Sequence, residues 1–361
     1  MPTWEFALGD GAAGSTFASN QSRFNGLAGR IMTNSNAESN SQTKVFATYT
    51  WANLYVRVKT KTFVGNPTIE SRAGGAAGNM LVTITGTGVF EDTTNTDSLV
   101  SGNLIGFRVA TPTEVGETMT LHIIGSTLQD TTTNATLAVA SGNAPSQSFG
   151  LTRFAPIGGM LGVASGLNAT EANTQYTLRR ATTFTNLRLT VLTNVINTGT
   201  STWKFRVDLA NGNQTVDIPA GDTGVFEDTT NTDEVSAASE VNYQLTTSGA
   251  SGALHPRLGQ VAHISTSREL ITTNASPSAI SGDVYFGAES DGSSSATEAD
   301  SQIAARAAFS ANNLFVNVTA HGASSGVDIF LRQNGANSAL TVNIPASTTG
   351  LFEDTTNSVS V

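Results

Sequence analysis

Apolar and polar residues alternate over short runs along nearly the whole chain, and turn-forming residues separate the runs. "NLYVRV" (53–58), "NLRLTV" (186–191) and "NLFVNV" (313–318) carry an apolar side chain at every second position. That is the period of a half-buried strand. "LIGFRV" (104–109) and "EVNYQL" (240–245) alternate in the same way, and "TMTLHIIGS" (118–126) and "ALHPRLGQVAHIS" (253–265) read as further strands. "ESRAGGAAGNMLVTI" (70–84), "FRVDLANGNQTVDI" (205–218) and "FLRQNGANSALTVNI" (330–344) each read as strand, Gly/Asn turn, strand, which predicts a hairpin. No segment sustains a long helical period.

These runs repeat. "GVFEDTTNTD" ends at Asp97 and again at Asp233, and "GLFEDTTNSV" ends at Val359. Fifteen residues before Asn53, Asn186 and Asn313 stand Glu38, Glu171 and Glu298; four residues after each Glu stands a Gln, at Gln42, Gln175 and Gln302. After the phrase, Leu99, Ile105, Phe107 and Val109 answer to Val235, Val241, Tyr243 and Leu245, each 136 residues on. The third copy has no such continuation in this sequence; by comparison with the second, roughly two strands of average length are expected beyond it. A unit of about 130 residues is far longer than a solenoid repeat, so tandem domains are expected. The predicted architecture is all-β: three tandem antiparallel β-sandwich, jelly-roll-like units, the third lacking its last strands. Boundaries are predicted at 1–27 for an N-terminal arm, 28–147 and 148–277 for the first two sandwiches, and 278–361 for the incomplete third. The polar, proline-bearing segments "SGNAPSQS" (141–148) and "TTNASPSA" (272–279) read as linkers.

Composition narrows the function. The 361 residues are 39% hydrophobic and only 13% charged, with Gly, Ser, Thr, Asn and Ala making up the difference. The recurring β-branched and aromatic runs separate this mix from a disordered one. Net charge is −10 and the only lysines are Lys44, Lys59, Lys61 and Lys204, so no basic patch for nucleic acid is expected. Cysteine is absent, which removes disulfide and thiol chemistry. "MPTWEFALGDG" lacks the basic start and apolar run of a signal peptide, and no stretch reaches a membrane span of roughly 20 apolar residues. Synthesis in the cytoplasm is therefore expected.

The acidic phrase invites two chemical readings. Asp92, Asn95 and Asp97, with Asp228, Asn231 and Asp233, are weak calcium candidates because oxygen ligands cluster in a short segment. Their spacing is not that of an EF-hand loop, and Val359 stands in the third copy where the other two have Asp. The structural reading is preferred: Phe90, Phe226 and Phe352 enter the core, and Asp92, Asp228 and Asp354 cap backbone amides in a tight corner. A glycosidase pair is not expected from Glu91 and Asp92, since strand neighbours point to opposite faces. The four histidines (His122, His255, His263, His321) recur in no pattern. No nucleophile motif or phosphate loop is present, so neither an enzyme nor a cofactor is expected. The Glu/Gln pairs at 38/42, 171/175 and 298/302 read as a hydrogen-bonded clamp before the first core strand, with a subunit contact as the alternative.

With the phrase, the "NL" strand and the "NGA" hairpin assembled, the chain resembles repeat-bearing structural proteins of tailed bacteriophages, over about 34–128, 167–268 and 294–361. The resemblance implies a virion component: a head-decoration, fibre or tail protein that partners itself and other virion proteins. It supplies no site residues. A host-surface glycan or receptor is a further possible partner; nucleic acid and membrane are not expected partners. The alternative is a subunit of an extracellular filament or surface adhesin assembled by strand complementation. A carbohydrate-binding array is disfavoured because Trp4, Trp51 and Trp203 do not recur across the repeats.

Overall fold

The computed structural model describes residues 3–9, 14–130, 135–143, 145–162, 167–264, 282–286, 294–303, 305–306 and 308–361. The chain divides into two compact units, Met1–Ile303 and Ala304–Val361. The first contains two sandwiches built from the same ordered set of strands.

The first sandwich comprises β1 (Thr3–Gly9), β2 (Ser15–Ala18), β3 (Ser22–Asn25), β4 (Gly29–Arg30), β5 (Thr43–Lys44), β6 (Tyr49–Lys61), β7 (Thr68–Ala73), β8 (Ala76–Thr83), β9 (Gly88–Leu99), β10 (Leu104–Ala110) and β11 (Thr118–Asp130). One sheet runs β4-β1-β11-β6-β9 and the other β3-β10-β7-β8, with β2 added to β11 and β5 to β10. Counting the principal strands β1, β3 and β6–β11 from 1 to 8, the sheets read 1-8-3-6 and 2-7-4-5. That order is two interleaved Greek keys, a jelly roll. All pairings are antiparallel except the short β1–β4 contact.

The second sandwich repeats the plan with β12 (Ala135–Ser141), β13 (Gln147–Ser148), β14 (Thr152–Ala155), β15 (Gly159–Met160), β16 (Tyr176–Thr177), β17 (Thr182–Asn194), β18 (Thr200–Val207), β19 (Ala210–Pro219), β20 (Gly224–Val235), β21 (Glu240–Thr246) and β22 (Ala253–Ile264). Its sheets are β15-β12-β22-β17-β20 and β14-β21-β18-β19.

Two sequence expectations change here. Residues 1–27 do not stand apart as an arm: β1 lies between β11 and β4, and β3 closes the second sheet on β10. The first sandwich needs these strands as positions 1 and 2 of its Greek keys. "SGNAPSQS" is not a linker either, because Ser141 ends β12 and Gln147–Ser148 pairs with β22. The run "ATLAVAS" of β12 is buried at every position, with Ala135, Leu137 and Val139 in the core cluster of the first sandwich. Small apolar residues suit a strand covered on both faces, and they hide the alternation that would have marked it. The predicted boundary at 277 and "TTNASPSA" lie outside the described residues.

The cores show how one plan accepts two sequences. In the first, Trp51 packs tilted against Phe107 with ring centroids 5.3 Å apart and donates from its indole Nε1 to Ser126 Oγ at 2.8 Å. In the second, Phe184 takes the place of Trp51, and Trp203 arises from the facing sheet, 4.7 Å from Tyr243. Trp203 fills space left by Gly259, where a Cβ would sit 3.0 Å from Trp203 Cζ2; the first sandwich has Ile124 there. Each such ring, fully buried, contributes roughly 1.5–3 kcal/mol by area alone.

The second hairpin also departs from expectation. Its turn is Asp208–Leu209, at φ +49° and +65°, and not the "NGN" that follows. The reason is given with the site below.

The unit Ala304–Val361 contains β23 (Ser310–Val318), β24 (Val327–Gln333), β25 (Ala336–Ile344) and β26 (Gly350–Ser360). β23 pairs with β26, and β24 with β25, which are positions 3-6 and 4-5 of the jelly roll. Leu340, Val342 and Ile344 are buried, but Leu314, Val316, Ile329 and Leu331 are only half-buried. Their counterparts Leu54, Val56 and Ile69 are 0% exposed.

Asn53, Asn186 and Asn313 share φ values of +57°, +58° and +56°. The left-handed region disfavours side chains other than Gly, Asn and Asp, so the recurring "NL" records a backbone requirement. Asn186→Val is expected to destabilise by about 1–2 kcal/mol, and Asn186→Gly to stay within about 0.5 kcal/mol of the parent. Urea midpoints of the two variants check this; equal midpoints would remove the conformational explanation.

Candidate functional site

The acidic phrase forms a single long edge strand in each unit, not a corner between strands. β9, β20 and β26 each carry it whole, and β9 and β20 close one end of their sheets. The turn-like "TTN" is accommodated by a slip in register. Ala52 opposes Thr96 and Leu54 opposes Asp92, so Thr93, Thr94 and Asn95 bulge opposite the single residue Asn53. The slip recurs at Thr185/Leu187 and at Asn312/Leu314. Phe90, Phe226 and Phe352 are half-buried, and Phe90 packs against the edge of the core cluster.

The carboxylate before the bulge works in two directions. Asp92 Oδ1 accepts from the Thr94 and Asn95 amides at 3.2 and 3.0 Å, which caps the bulge. Asp92 Oδ2 accepts from Asn95 Nδ2 at 2.9 Å and from the Leu81 amide at 3.0 Å. Leu81 lies on β8, the edge strand of the other sheet. Asp92 thus bonds a free edge amide of one sheet to the edge strand of its partner. Asp228 repeats this with the Thr215 amide at 2.9 Å, and Asp354 with the Thr341 amide at 3.0 Å.

Asp97 makes the second bond of the staple. Its Oδ1 accepts from the Asn79 amide at 2.7 Å and its Oδ2 from Ser71 Oγ at 2.6 Å. Asp233 accepts from the Asn213 amide at 2.6 Å. Each of these carboxylates lies flat on the neighbouring backbone. A Cβ on Gly78 would come within 2.5 Å of Asp97 Oδ2, and one on Gly212 within 2.7 Å of Asp233 Oδ1. Gly212 therefore serves the staple inside β19, and this is why the "NGN" of the second hairpin is strand and not turn. The third repeat has Val359 in place of the Asp and Ser338 in place of the Gly.

The electrostatics follow from this crowd of donors. Burial alone would raise the Asp92 carboxyl, but the Asn95 side chain and the Leu81, Asn95 and Thr94 amides together hold it at about 2. Asp228 is held at about 2 by the equivalent donors. The Thr341 amide and the Asn357 side chain are the main causes that push Asp354 well below the usual carboxylate range. Carboxylate oxygens surrounded by N–H donors are poorly placed to hold calcium, because a cation would have to displace those donors. Among the described residues no group of three His, Asp or Glu side chains is arranged to hold a metal ion.

The Glu/Gln pairs have an additional member. Gln42 Nε2 donates to Glu38 Oε1 at 3.2 Å, but Glu38 also pairs with Arg72 at 2.9 Å. Glu171 pairs with Arg206 at 2.8 Å, and here the Gln175 amide nitrogen has no partner among the described residues. Glu298 opens the 3-10 turn Glu298–Asp300, and Gln302 follows two residues after it. Arg72 and Arg206 also donate to the turn carbonyls of Gly75 and Leu209, and Arg332 donates to that of Gly335. The recurring Arg ahead of each hairpin turn was the legible sign of this clamp.

The segment that carries the clamp also docks between sandwiches. Arg188, only 1% exposed, donates from Nη1 to the Gln42 carbonyl at 2.7 Å and pairs through Nε with Glu227 at 3.0 Å. Lys44 pairs with the other Glu227 oxygen at 2.6 Å. Gln260 Oε1 accepts from the Lys44 amide at 3.1 Å, and Gln260 Nε2 donates to the Lys44 carbonyl. Ser141 Oγ donates to the Ala28 carbonyl at 2.8 Å, and Tyr49 Oη to the Ala135 carbonyl at 2.9 Å. Leu258 and Ala262 join the core cluster of the first sandwich. Segment 38–44 of one sandwich therefore seats on the outer sheet face of the next. The matching segment after Glu298 seats on the first sandwich in the same way: Ile303 packs on Ala7, Tyr55 and Ile123, and Asp300 lies 3.4 Å from His122.

No catalytic constellation is assembled among the described residues. Glu91 and Asp92 point to opposite faces, Glu227 faces the joint and Asp228 the staple. His263 lies in the core, 5.8 Å from the Phe184 ring, and burial lowers it to about 3. Among the described residues no helix is long and apolar enough to cross a membrane. No protein-family model matches the chain, and no curated protein matches it.

Asp92→Ala is expected to cost about 1–3 kcal/mol at pH 7, since it strands several buried donors. The folded carboxyl titrates near 2 and the unfolded one near 3.9, so the staple's contribution is complete above about pH 4 and is lost as pH falls toward 2. Chemical denaturation at pH 7 and pH 2 should show the variant's deficit shrinking; a constant deficit would exclude the charged staple. Gly212→Ala is expected to destabilise, because the three atoms nearest an added Cβ all belong to Asp233, and its penalty should largely vanish in the background Asp233→Val. A double-mutant cycle measures that coupling, and additive penalties would refute it.

Proposed function

We propose that this chain is a non-enzymatic structural protein of a bacteriophage particle, a head-decoration, fibre or tail component that acts through homo-oligomeric assembly. The observation that carries the reading is the docking of one jelly roll on another through a repeated segment. Such a contact is heterologous: segment 38–44 meets a sheet face, and the surfaces are different. Heterologous contacts generate rings when they close and filaments when they do not. The half-buried apolar positions Leu314, Val316, Ile329 and Leu331 support association, because a face of this kind favours removal from water.

The same half-buried positions favour a second reading, a filament or surface adhesin whose subunits complete one another's sheets by strand addition. Light scattering and negative-stain imaging of the full chain separate the two. Closed particles of defined copy number are expected for the virion reading, and open fibres for the alternative. A monomer at concentrations up to about 0.1 mM would overturn both.

A further inference from the structure

Arg257 is 0% exposed, and its Nε, Nη1 and Nη2 have no hydrogen-bond partner among the described residues. It sits at a bulge in β22, between Pro256 opposite Val191 and Leu258 opposite Thr190. The Thr190 hydroxyl on the adjacent strand is also fully buried without a partner. The first sandwich covers this face: a Cβ on Gly26 would lie 3.1 Å from Leu258 Cδ1. The carboxylate at this joint, Glu227, is already shared by Lys44 and Arg188.

The equivalent joint explains what is missing. In the first sandwich the matching bulge residue is His122, between Leu121 and Ile123, and it faces the Asp300 carboxylate at 3.4 Å. Asp300 is the third residue of the turn Glu298–Asp300. The third residue of the turn Glu38–Asn40, which serves the Arg257 joint, is the neutral Asn40. The same segment seats on the same sheet face, but the negative group is absent. An enclosed unpaired guanidinium costs several kcal/mol and cannot escape by losing its proton at neutral pH.

We propose that the joint between the first two sandwiches binds a small inorganic anion, held by the Arg257 guanidinium and the Thr190 hydroxyl in the place that Asp300 fills at the other joint. The anion completes the charge balance of the joint and couples its stability to anion concentration.

The test is thermal unfolding of the full chain in chloride, balanced with gluconate at constant ionic strength, with a parallel series in sulfate. The wild-type Tm is expected to rise by about 2–4 °C per tenfold anion once binding exceeds half-saturation. Asn40→Asp supplies an internal carboxylate and is expected to raise Tm at low chloride and abolish the dependence. Arg257→Met removes the unpaired charge and is expected to be equally insensitive. A wild-type Tm that follows neither chloride nor sulfate overturns the proposal. So does an Asn40→Asp slope equal to the wild-type slope, which also covers the case in which Arg257→Met fails to fold. Response to chloride alone identifies a halide-sized site, and response to sulfate beyond that of Asn40→Asp identifies an oxyanion site.

Discussion

An open β-sandwich has two edges that nothing pairs, and at one of them β8 and β9 run side by side in different sheets without a shared ladder. The carboxylates of Asp92 and Asp97 resolve that conflict. Each takes an edge amide that would otherwise face water and ties it to the neighbouring sheet. Edge amides left open are templates for unwanted pairing, and inward-facing charge is one way to close them. The rest of the local sequence follows from this constraint. The bulge exists so that one strand can present Asp92 toward β8, Asn53 supplies the left-handed residue opposite the bulge, and Gly78 leaves room for Asp97.

This explains what the sequence could and could not disclose. The repeat, the all-β class and the strand period were legible because alternation and exact spacing are direct consequences of half-buried strands. The phrase was legible as structural, but its shape was not. "DTTN" has the composition of a turn, and only pairing against the "NL" strand makes it a bulge within a longer strand. The N-terminal strands were missed because β1 lacks a recognisable counterpart in apolar pattern. The equivalent strand of the second sandwich, β12, is buried on both faces and so does not alternate. A weaker sign was present: "SRFNGLAG" at 22–29 and "TRFAPIGG" at 152–159 share Arg, Phe and a final Gly at a constant offset. The joint was illegible because Arg188, Gln260 and Arg257 are not repeated; they belong to one contact between neighbours.

The differences among copies are as informative as the identities. Gly78 with Asp97 and Gly212 with Asp233 give way together to Ser338 with Val359. Ile69 with Ile124 becomes Trp203 with Gly259, and the ring fills the space that the glycine leaves. In both cases two positions distant in sequence change as a pair because they occupy one volume. A chain that carries its own related copies thus provides an internal comparison, and paired exchange identifies packing contacts that composition alone does not.

The same logic separates structural from interactive positions within the phrase. Asp92, Asp228 and Asp354 are invariant among the copies because each unit must close its own edge. The Glu beside them is also invariant, yet it faces the opposite way, and at Glu227 it binds Lys44 of the preceding sandwich. One dipeptide therefore serves two surfaces, the Asp securing the unit and the Glu addressing its neighbour. Strand geometry makes this division unavoidable, since adjacent side chains on an edge strand must point to opposite sides. The Glu-Asp dipeptide recurs in all three copies, and at 227–228 losing either residue would harm a different contact, one within the sandwich and one between sandwiches.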